Sequence, residues 1–172
     1  WYDKTTKNVL LQVYSIDPAP TSTMWTNVKN MRIINKGVEV SLNGQIIDSK
    51  NWGWDASANF STIDNKVKGL PMSYISVGTA SGPGMDSFYL QRIMNGYAIG
   101  TFYGYHFLGL DSNGKSIYET DANGNLVEKV IGCAQPDFTL NFSTNLRWKN
   151  LQLSLNFNGV FGNDIYNNLA NV

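Results

Sequence analysis

The chain alternates apolar and polar residues with a period of two between residues 138 and 161. From residue 138 to 148 every even position is apolar or carries a methyl group, whereas the odd positions are polar. The alternation resumes at Leu151 and continues to Phe161, after the dipeptide Lys149-Asn150. A period of two is that of a β-strand whose two faces differ. The pattern therefore predicts a hairpin closed by about two residues.

A second hairpin with the same plan is predicted upstream. Its first strand alternates around Val40, Leu42 and Ile46, and its second strand begins at Trp52 after a short polar break. Strands are predicted near residues 9–13, 37–47, 52–63, 138–148 and 151–161. Because no segment has a helical apolar stripe of any length, the predicted fold class is all-β. The segments between these strands, above all residues 64–137, are rich in Gly, Pro, Ser and Asn and are expected to be long loops.

The two kinds of connection lie at opposite ends of the predicted sheet. Both tight turns are at one end and the long connections are at the other. This asymmetry is typical of bacterial outer-membrane β-barrels, which have short periplasmic turns and long extracellular loops. Trp52 and Trp148 flank the short turns, where an aromatic girdle would meet the lipid interface. A secreted β-sandwich that binds glycans also alternates in this way and is the alternative interpretation.

The composition of the chain limits the classes of partner that it can bind. Lys plus Arg and Asp plus Glu both number 13, so no strong field is available to attract nucleic acid. Charged residues make up only 15% of the chain and aromatic residues 13%, which favours a wet surface of neutral polar groups. No window approaches the roughly 18 apolar residues of a membrane helix, but a barrel strand needs only about 10 alternating residues.

The sequence contains no recognisable catalytic or metal-binding constellation. The single histidine, His106, and the single cysteine, Cys133, lie in no nucleophile motif, and no pair of carboxylates is placed for glycoside hydrolysis. The segments beginning at Asp111 and Asp121 have the Asn-Gly composition of turns rather than EF-hand spacing. We therefore predict no enzyme, no cofactor and no metal.

Five stretches, taken in order, resemble one family. They are YDKTTKNVLL, NKGVEVSLNG, IGTFYGYHFLG, VIGCAQPDFTLNFSTNL and FNGVFGNDIYN. Together they resemble the SusC/RagA branch of the TonB-dependent outer-membrane transporters. The resemblance implies a transmembrane β-barrel of about 22 strands with a plug inside. The chain is expected to supply about five of those strands, from the later part of the barrel, with the plug domain absent.

The resemblance also implies partners and cargo. A SusD-type surface lipoprotein covers the extracellular side in such transporters, and the TonB complex acts through the plug that is missing here. The cargo is an oligosaccharide or, in some members, a peptide. The expected location is the bacterial outer membrane, with outer-membrane lipid around the barrel.

Three sets of residues are candidates for contact with these partners. For cargo we single out an aromatic cluster, because flat aromatic faces pack on sugar rings or peptide side chains; an alternative is that it anchors a loop to the rim or to the lipoprotein. That cluster is Phe102, Tyr103, Tyr105 and His106, followed by Phe107. Residues expected to face the lumen are Asn141, Asn145, Arg147 and Asn156. Residues expected to face lipid are Leu140, Phe142, Leu153, Leu155 and Phe157.

Overall fold

The computed structural model describes residues 1–14, 22–82 and 85–167, and within these ranges the chain forms β-strands joined by turns. The strands are β1 (Tyr2–Lys7), β2 (Leu10–Tyr14), β3 (Thr23–Asn27), β4 (Arg32–Gly37), β5 (Glu39–Asp48), β6 (Trp52–Thr62), β7 (Asp64–Lys68), β8 (Ile75–Gly82), β9 (Met85–Ile93), β10 (Thr101–Tyr105), β11 (Phe107–Leu110), β12 (Ser116–Tyr118), β13 (Glu128–Cys133), β14 (Phe138–Trp148) and β15 (Leu151–Phe161). The all-β prediction is confirmed. No helix in these ranges is long and apolar enough to cross a membrane.

The predicted strands match β2, β5, β6, β14 and β15, but the described residues contain ten more. The expectation of one long loop over residues 64–137 was wrong, because β7 to β13 lie there. These missed strands are shorter, and several have little apolar alternation; β7, for example, reads DNKVK. A short strand is specified by the neighbours with which it pairs, and a single sequence does not reveal those neighbours.

The described residues divide into two compact units. We call Trp1–Lys4, Asn35–Asp64 and Pro136–Asn163 the hairpin unit, and Thr5–Ile34, Asn65–Gln135 and Asp164–Val172 the core unit. The hydrogen-bonded strand orders are β15-β14-β6-β5, β13-β10-β9-β8, β1-β4-β7, β2-β3 and β11-β12. The four-stranded sheet β15-β14-β6-β5 lies wholly in the hairpin unit.

The β14–β15 hairpin has the predicted form. Its pairing is continuous from Phe138 opposite Phe161 to Trp148 opposite Leu151. Two residues close the turn, and the first of them, Lys149, has a positive φ of 53°. A positive φ is characteristic of the two-residue turns that match the twist of paired strands. The apolar face of β14 therefore continues into β15 without a change of register.

The β5–β6 hairpin contains one irregularity that the alternation did not predict. Gln45 pairs with Asp55 and Ile47 with Trp54, so Ile46 is an extra residue in β5. This β-bulge places Ile47, rather than Ile46, directly opposite Trp54. The turn that follows is held by Ser49, whose Oγ donates to the Trp52 carbonyl at 3.0 Å and accepts from the Trp52 N–H at 3.1 Å.

The core unit has an interior of its own. Val28, Met31, Val67 and Leu70 form a buried apolar cluster in it. They are surrounded by half-buried aliphatic side chains from strands and from the connections between them, namely Val9, Leu11, Ile75, Ile93 and Ile99. Asn95 ties the backbone beside this cluster, since its amide donates to the Leu70 carbonyl and accepts from the Leu70 N–H, both at 2.9 Å.

Gly69 marks a close approach of backbone to backbone in the core unit. Its φ is +74°, a conformation that L side chains rarely adopt. A Cβ at this position would also clash with the carbonyl of Asn30. Only glycine satisfies both conditions, so this position is fixed by geometry next to the buried cluster.

Candidate functional site

The register of β14 and β15 puts the residues expected to face lipid on one face of the hairpin unit. Phe142 lies opposite Phe157, and Thr144 lies opposite Leu155. Directly opposed residues of an antiparallel pair share a face, as do alternate residues of one strand. The five side chains Leu140, Phe142, Leu153, Leu155 and Phe157 therefore form one surface, and each is 37% to 57% exposed. Within the described residues of the hairpin unit, no second sheet covers it.

Aromatic rings lie at both ends of this apolar face. At the end with the tight turns, the Trp52 and Trp148 rings are 5.8 Å apart between centroids. At the other end, Phe138 stacks on Phe161 at 4.7 Å and lies 5.7 Å from Phe60. Between these borders the face carries leucine and alanine side chains, the Phe142–Phe157 pair at 6.3 Å and the indole of Trp54. The face thus has two aromatic borders, one at each end of β14.

One hydroxyl interrupts the apolar face, and its polar atoms are satisfied internally. Thr144 is buried and accepts a hydrogen bond from Trp54 Nε1 at 2.9 Å. Its hydroxyl in turn donates a hydrogen bond to the Asp55 carbonyl at 3.4 Å. Because a buried polar group without a partner is costly, these bonds explain how a threonine fits into a row of large apolar residues.

The opposite face of the same sheet is polar and nearly neutral. Asn141 pairs with Asn158, Asn145 with Ser154, and Ser143 with Asn156. The four residues expected to face the lumen, Asn141, Asn145, Arg147 and Asn156, all lie on this face. An open depression of about 380 Å³ occupies its middle, lined by Asn43, Gly44, Gln45, Asp55, Ala56, Ser57, Ser143 and Asn145. Amides and hydroxyls of this kind offer both donors and acceptors for hydrogen bonds.

Arg147, a charged residue on the polar face, binds the adjacent tight turn. Its Nη2 donates to the Ser49 carbonyl at 3.2 Å and lies 3.8 Å from Asp48 Oδ1. The neighbouring turn is tied to this one through the backbone, where the Lys149 N–H donates to the Asn51 carbonyl at 2.8 Å. The two tight turns are therefore joined side by side.

The structure separates the aromatic residues proposed for cargo. Phe102 is 9% exposed and lies in the interior of the core unit, so its side chain is withdrawn from solvent. Tyr105 and Phe107 are about half exposed, and both meet Tyr118 edge-on, at 6.3 and 6.0 Å between centroids. Tyr118 was not singled out from the sequence, because its place beside Phe107 depends on the pairing of β11 with β12.

Tyr103 belongs to a different arrangement. The Arg92 guanidinium carbon lies 4.0 Å from the centre of the Tyr103 ring and 4.2 Å from that of Tyr74. Arg92 Nη2 also donates to Glu128 Oε2 at 2.7 Å. Cation–π contacts on two rings together with a carboxylate bond fix the guanidinium in place. Nothing in the local sequence around Arg92 signals this set.

His106 is part of a charged cluster in the core unit. Its Nδ1 lies 2.8 Å from Glu119 Oε2, and the same oxygen accepts a hydrogen bond from Lys129 Nζ. The hydrogen bond from Lys129, followed by that from His106, lowers the pKa of Glu119 below its ordinary value. The carboxylate is therefore held ionised between two basic groups.

The two Asn-Gly segments form turns, as predicted, and they are built alike. Asp111 Oδ1 accepts from the N–H groups of Asn113 and Lys115, both at 2.8 Å. Asp121 Oδ1 accepts in the same way from Asn123 and Asn125, both at 2.9 Å. Bonds from Asn125 are the main cause of the lowered pKa of Asp121. Each aspartate is thus engaged in holding its own turn.

Two glycine–aspartate contacts lie in the last two motifs of the resemblance. Asp164 Oδ2 accepts from the Cys133 N–H at 2.8 Å, and a Cβ on Gly132 would clash with the same carboxylate. Likewise, a Cβ on Gly162 would clash with the Asp137 carboxylate. Glycine is therefore required at these two positions because an aspartate carboxylate lies against each of them, a contact that the sequence alone did not show.

Comparison with known sequences gives one family. The family model described as "TonB dependent receptor-like, beta-barrel" matches residues 1–167. A protein named "TonB-dependent receptor P3", from Formosa agariphila, is 33% identical over 157 residues, which are 77% of this chain and 15% of that protein. "TonB-dependent receptor SusC", from Bacteroides thetaiotaomicron, is 28% identical over 158 residues, which are 80% of this chain and 15% of that protein. These relatives are receptors and not enzymes, which agrees with the sequence-based prediction.

Comparison with solved structures gives the same answer. A structure of the RagAB peptide transporter superposes with a TM-score of 0.68 at 25% identity, over 93% of this chain and 18% of that one. The RagAB peptide importer in its closed-closed state superposes with a TM-score of 0.67 at 25% identity, over 94% of this chain and 18% of that one. The chain thus spans less than a fifth of the length of these relatives.

Proposed function

This chain belongs to the TonB-dependent receptor-like β-barrel family, and on that premise we propose that it is part of the wall of a barrel that imports nutrients across the bacterial outer membrane. The observation that carries the proposal is the uncovered apolar face of the hairpin unit. Monomeric soluble proteins rarely expose apolar patches of more than a few hundred Å². Lipid is the environment that makes such a face stable.

The dimensions of the face agree with a bilayer. The 11 residues of β14 extend roughly 34 Å at a strand rise of about 3.4 Å per residue. A strand tilted by about 45° then crosses roughly 24 Å, close to the apolar band of about 25 Å in outer-membrane barrels. Aromatic rings border both ends of this length. Aromatic girdles at both interfaces are a regular feature of such barrels.

The polar face completes the barrel interpretation. Strands of transmembrane barrels alternate between lipid and lumen. A lumen wall of Asn141, Asn145 and Asn156 offers hydrogen bonds without a strong charge, which suits contact with water and with a plug domain. Leu140, Phe142, Leu153, Leu155 and Phe157 would then point to lipid.

For the whole transporter we propose uptake of peptides or oligosaccharides together with a SusD-type lipoprotein, driven by TonB through the plug. The similarity to SusC and to the RagAB transporter supports this assignment. Among the residues that the structure describes, the exposed pair Tyr105 and Phe107, together with Tyr118, is the best candidate for cargo contact. Exposed aromatic faces of this size bind sugar rings and apolar side chains.

Cell fractionation of the full-length protein tests the proposed location. We expect the protein to sediment with the outer-membrane fraction and to stay there through an alkaline carbonate wash, which strips peripheral proteins. Release into the supernatant would overturn the proposal and favour a secreted β-sandwich.

Cargo uptake tests the aromatic residues. We expect Tyr105→Ala combined with Phe107→Ala to lower uptake of a peptide or oligosaccharide mixture without changing the amount of protein in the membrane. Leu126→Ala, at an exposed apolar residue outside this aromatic group, is the matched control. Unchanged uptake in the double variant would remove these residues from the cargo site.

A further inference from the structure

The tight-turn end of the hairpin unit carries basic groups next to its tryptophan pair. Lys149 directly follows Trp148, and Lys50 lies two residues before Trp52, each in one of the two tight turns. Both lysines are exposed. The Lys149 ammonium lies 5.5 Å from the centre of the Trp148 ring. Each turn therefore carries one exposed lysine, and the ammonium group of Lys149 lies at the tryptophan border of the apolar face.

The two turns are held as one structural piece. The backbone bond from Lys149 to the Asn51 carbonyl joins them, and the tryptophan rings lie 5.8 Å apart beside the turns. The one acidic residue of this end, Asp48, faces Arg147 at 3.8 Å. Across the part of the chain that the structure describes, no carboxylate lies within ion-pair distance of Lys50 or Lys149. Two ammonium groups thus remain for a partner.

The opposite end of the sheet has the reverse charge. Glu39 begins β5 there, and Asp64 and Asp137 flank β6 and β14. Lys36 also lies at this end, but its ammonium group is paired with Asp3 Oδ2 at 2.8 Å. The basic groups are therefore not spread evenly around the apolar face but are concentrated at the tight-turn end. A lipid that lies along the apolar face with its headgroup at this end meets cationic side chains.

We propose that Lys50 and Lys149, with Trp52 and Trp148, form a binding site for the phosphate of a glycerophospholipid, preferentially an anionic one, in the leaflet at the tight-turn end. The inference rests on the proposed function, since it requires the apolar face to contact lipid. The acyl chains lie along that face, and the indole rings lie at the level of the headgroup. The ammonium groups neutralise the phosphate, and each lysine near an anionic surface favours binding by a factor of about 5.

The test measures lipid selectivity of the full-length protein in detergent micelles by native mass spectrometry. Phosphatidylglycerol and phosphatidylcholine of equal chain length are supplied together, and the bound lipids are counted. We expect wild type to retain phosphatidylglycerol preferentially and Lys50→Gln/Lys149→Gln to lose much of that preference, by up to about 25-fold at the site. Lys115→Gln, in the Asp111 turn of the core unit, is the matched control and should behave as wild type.

Each other outcome overturns the proposal. An unchanged preference in the double variant would show that other groups select the lipid. An equal loss in Lys115→Gln would show an effect of net charge alone. Retention of lipopolysaccharide in place of phosphatidylglycerol, when both are supplied, would assign the site to a different lipid. A full-length protein that stays monodisperse without detergent would instead refute the proposed function.

Discussion

The two units of this protein use large apolar residues in opposite ways. In the core unit the largest fully buried side chains are Met31 and Val67, and aliphatic residues surround them as in a soluble domain. In the hairpin unit Leu153 and Phe157 are more than half exposed, although they alternate as regularly as any buried strand face. Alternation therefore reports that a strand has two environments, and it does not say whether the apolar one is protein or lipid.

The largest expected effect separates the two kinds of apolar residue. Met31→Ala should cost about 2–5 kcal/mol in the free energy of unfolding, because it leaves a cavity in a closed cluster. Met24→Ala, at a half-exposed position of β3, is the control and should cost much less. Both effects are measured as shifts in the urea midpoint of unfolding of the full-length protein in vesicles. Equal shifts would contradict the view that the core unit has a protein interior.

Leu155→Arg tests the opposite environment. In a bilayer an arginine near the midplane of a barrel strand costs about 2–4 kcal/mol, whereas Asn156→Arg on the polar face should be milder. The same titration in vesicles measures the difference between these neighbours. A Leu155→Arg variant as stable as wild type would refute the lipid-facing assignment of Leu155.

Backbone geometry gives a smaller contrast between the units. Gly69→Ala in the core unit should cost about 1–3 kcal/mol, because alanine resists the positive φ, and the contact with Asn30 adds to this cost. Gly44→Ala in β5 of the hairpin unit is the control, since no atom lies within 4 Å of the added Cβ. A thermal midpoint lowered in both variants alike would mean that the Gly69 turn is not specified by these constraints.

The same contrast explains what the sequence could predict. The β14–β15 hairpin was predictable because alternation over its whole length fixes the face of each residue. The alternation put Ile46 in register with Val40 and Leu42, but the bulge places Ile47 opposite Trp54, and a bulge depends on the partner strand as well as on the bulged one. The family resemblance is confirmed by the match over residues 1–167, whereas the assignments of residues to lipid and lumen stay predictions.

The core unit was harder to predict, because its contacts join residues far apart in sequence. Phe102 and Tyr105 look equivalent in the aromatic run, but strand pairing buries the first and exposes the second. Arg92 meets Tyr74, Tyr103 and Glu128 only after β9, β10 and β13 pair. No periodicity in one segment encodes such a set, so sequence reasoning found the residue types and missed their partners.

The smallest expected effect concerns pH and the core unit alone. The pKa of Glu119 is lowered from 4.5 by Lys129 and His106. Ionised Glu119 therefore stabilises the fold at pH values above the pKa that it has in the unfolded chain. This contribution is lost as the pH falls through the lower pKa of the folded state. Hydrogen exchange of β11 and β12, corrected for the intrinsic rate, should show protection falling below about pH 4.5 in wild type. Glu119→Gln should flatten that dependence, leaving the part due to Asp121, whereas Glu39→Gln in the hairpin unit should not change it. An identical pH profile in Glu119→Gln would mean that the charged cluster does not hold these strands.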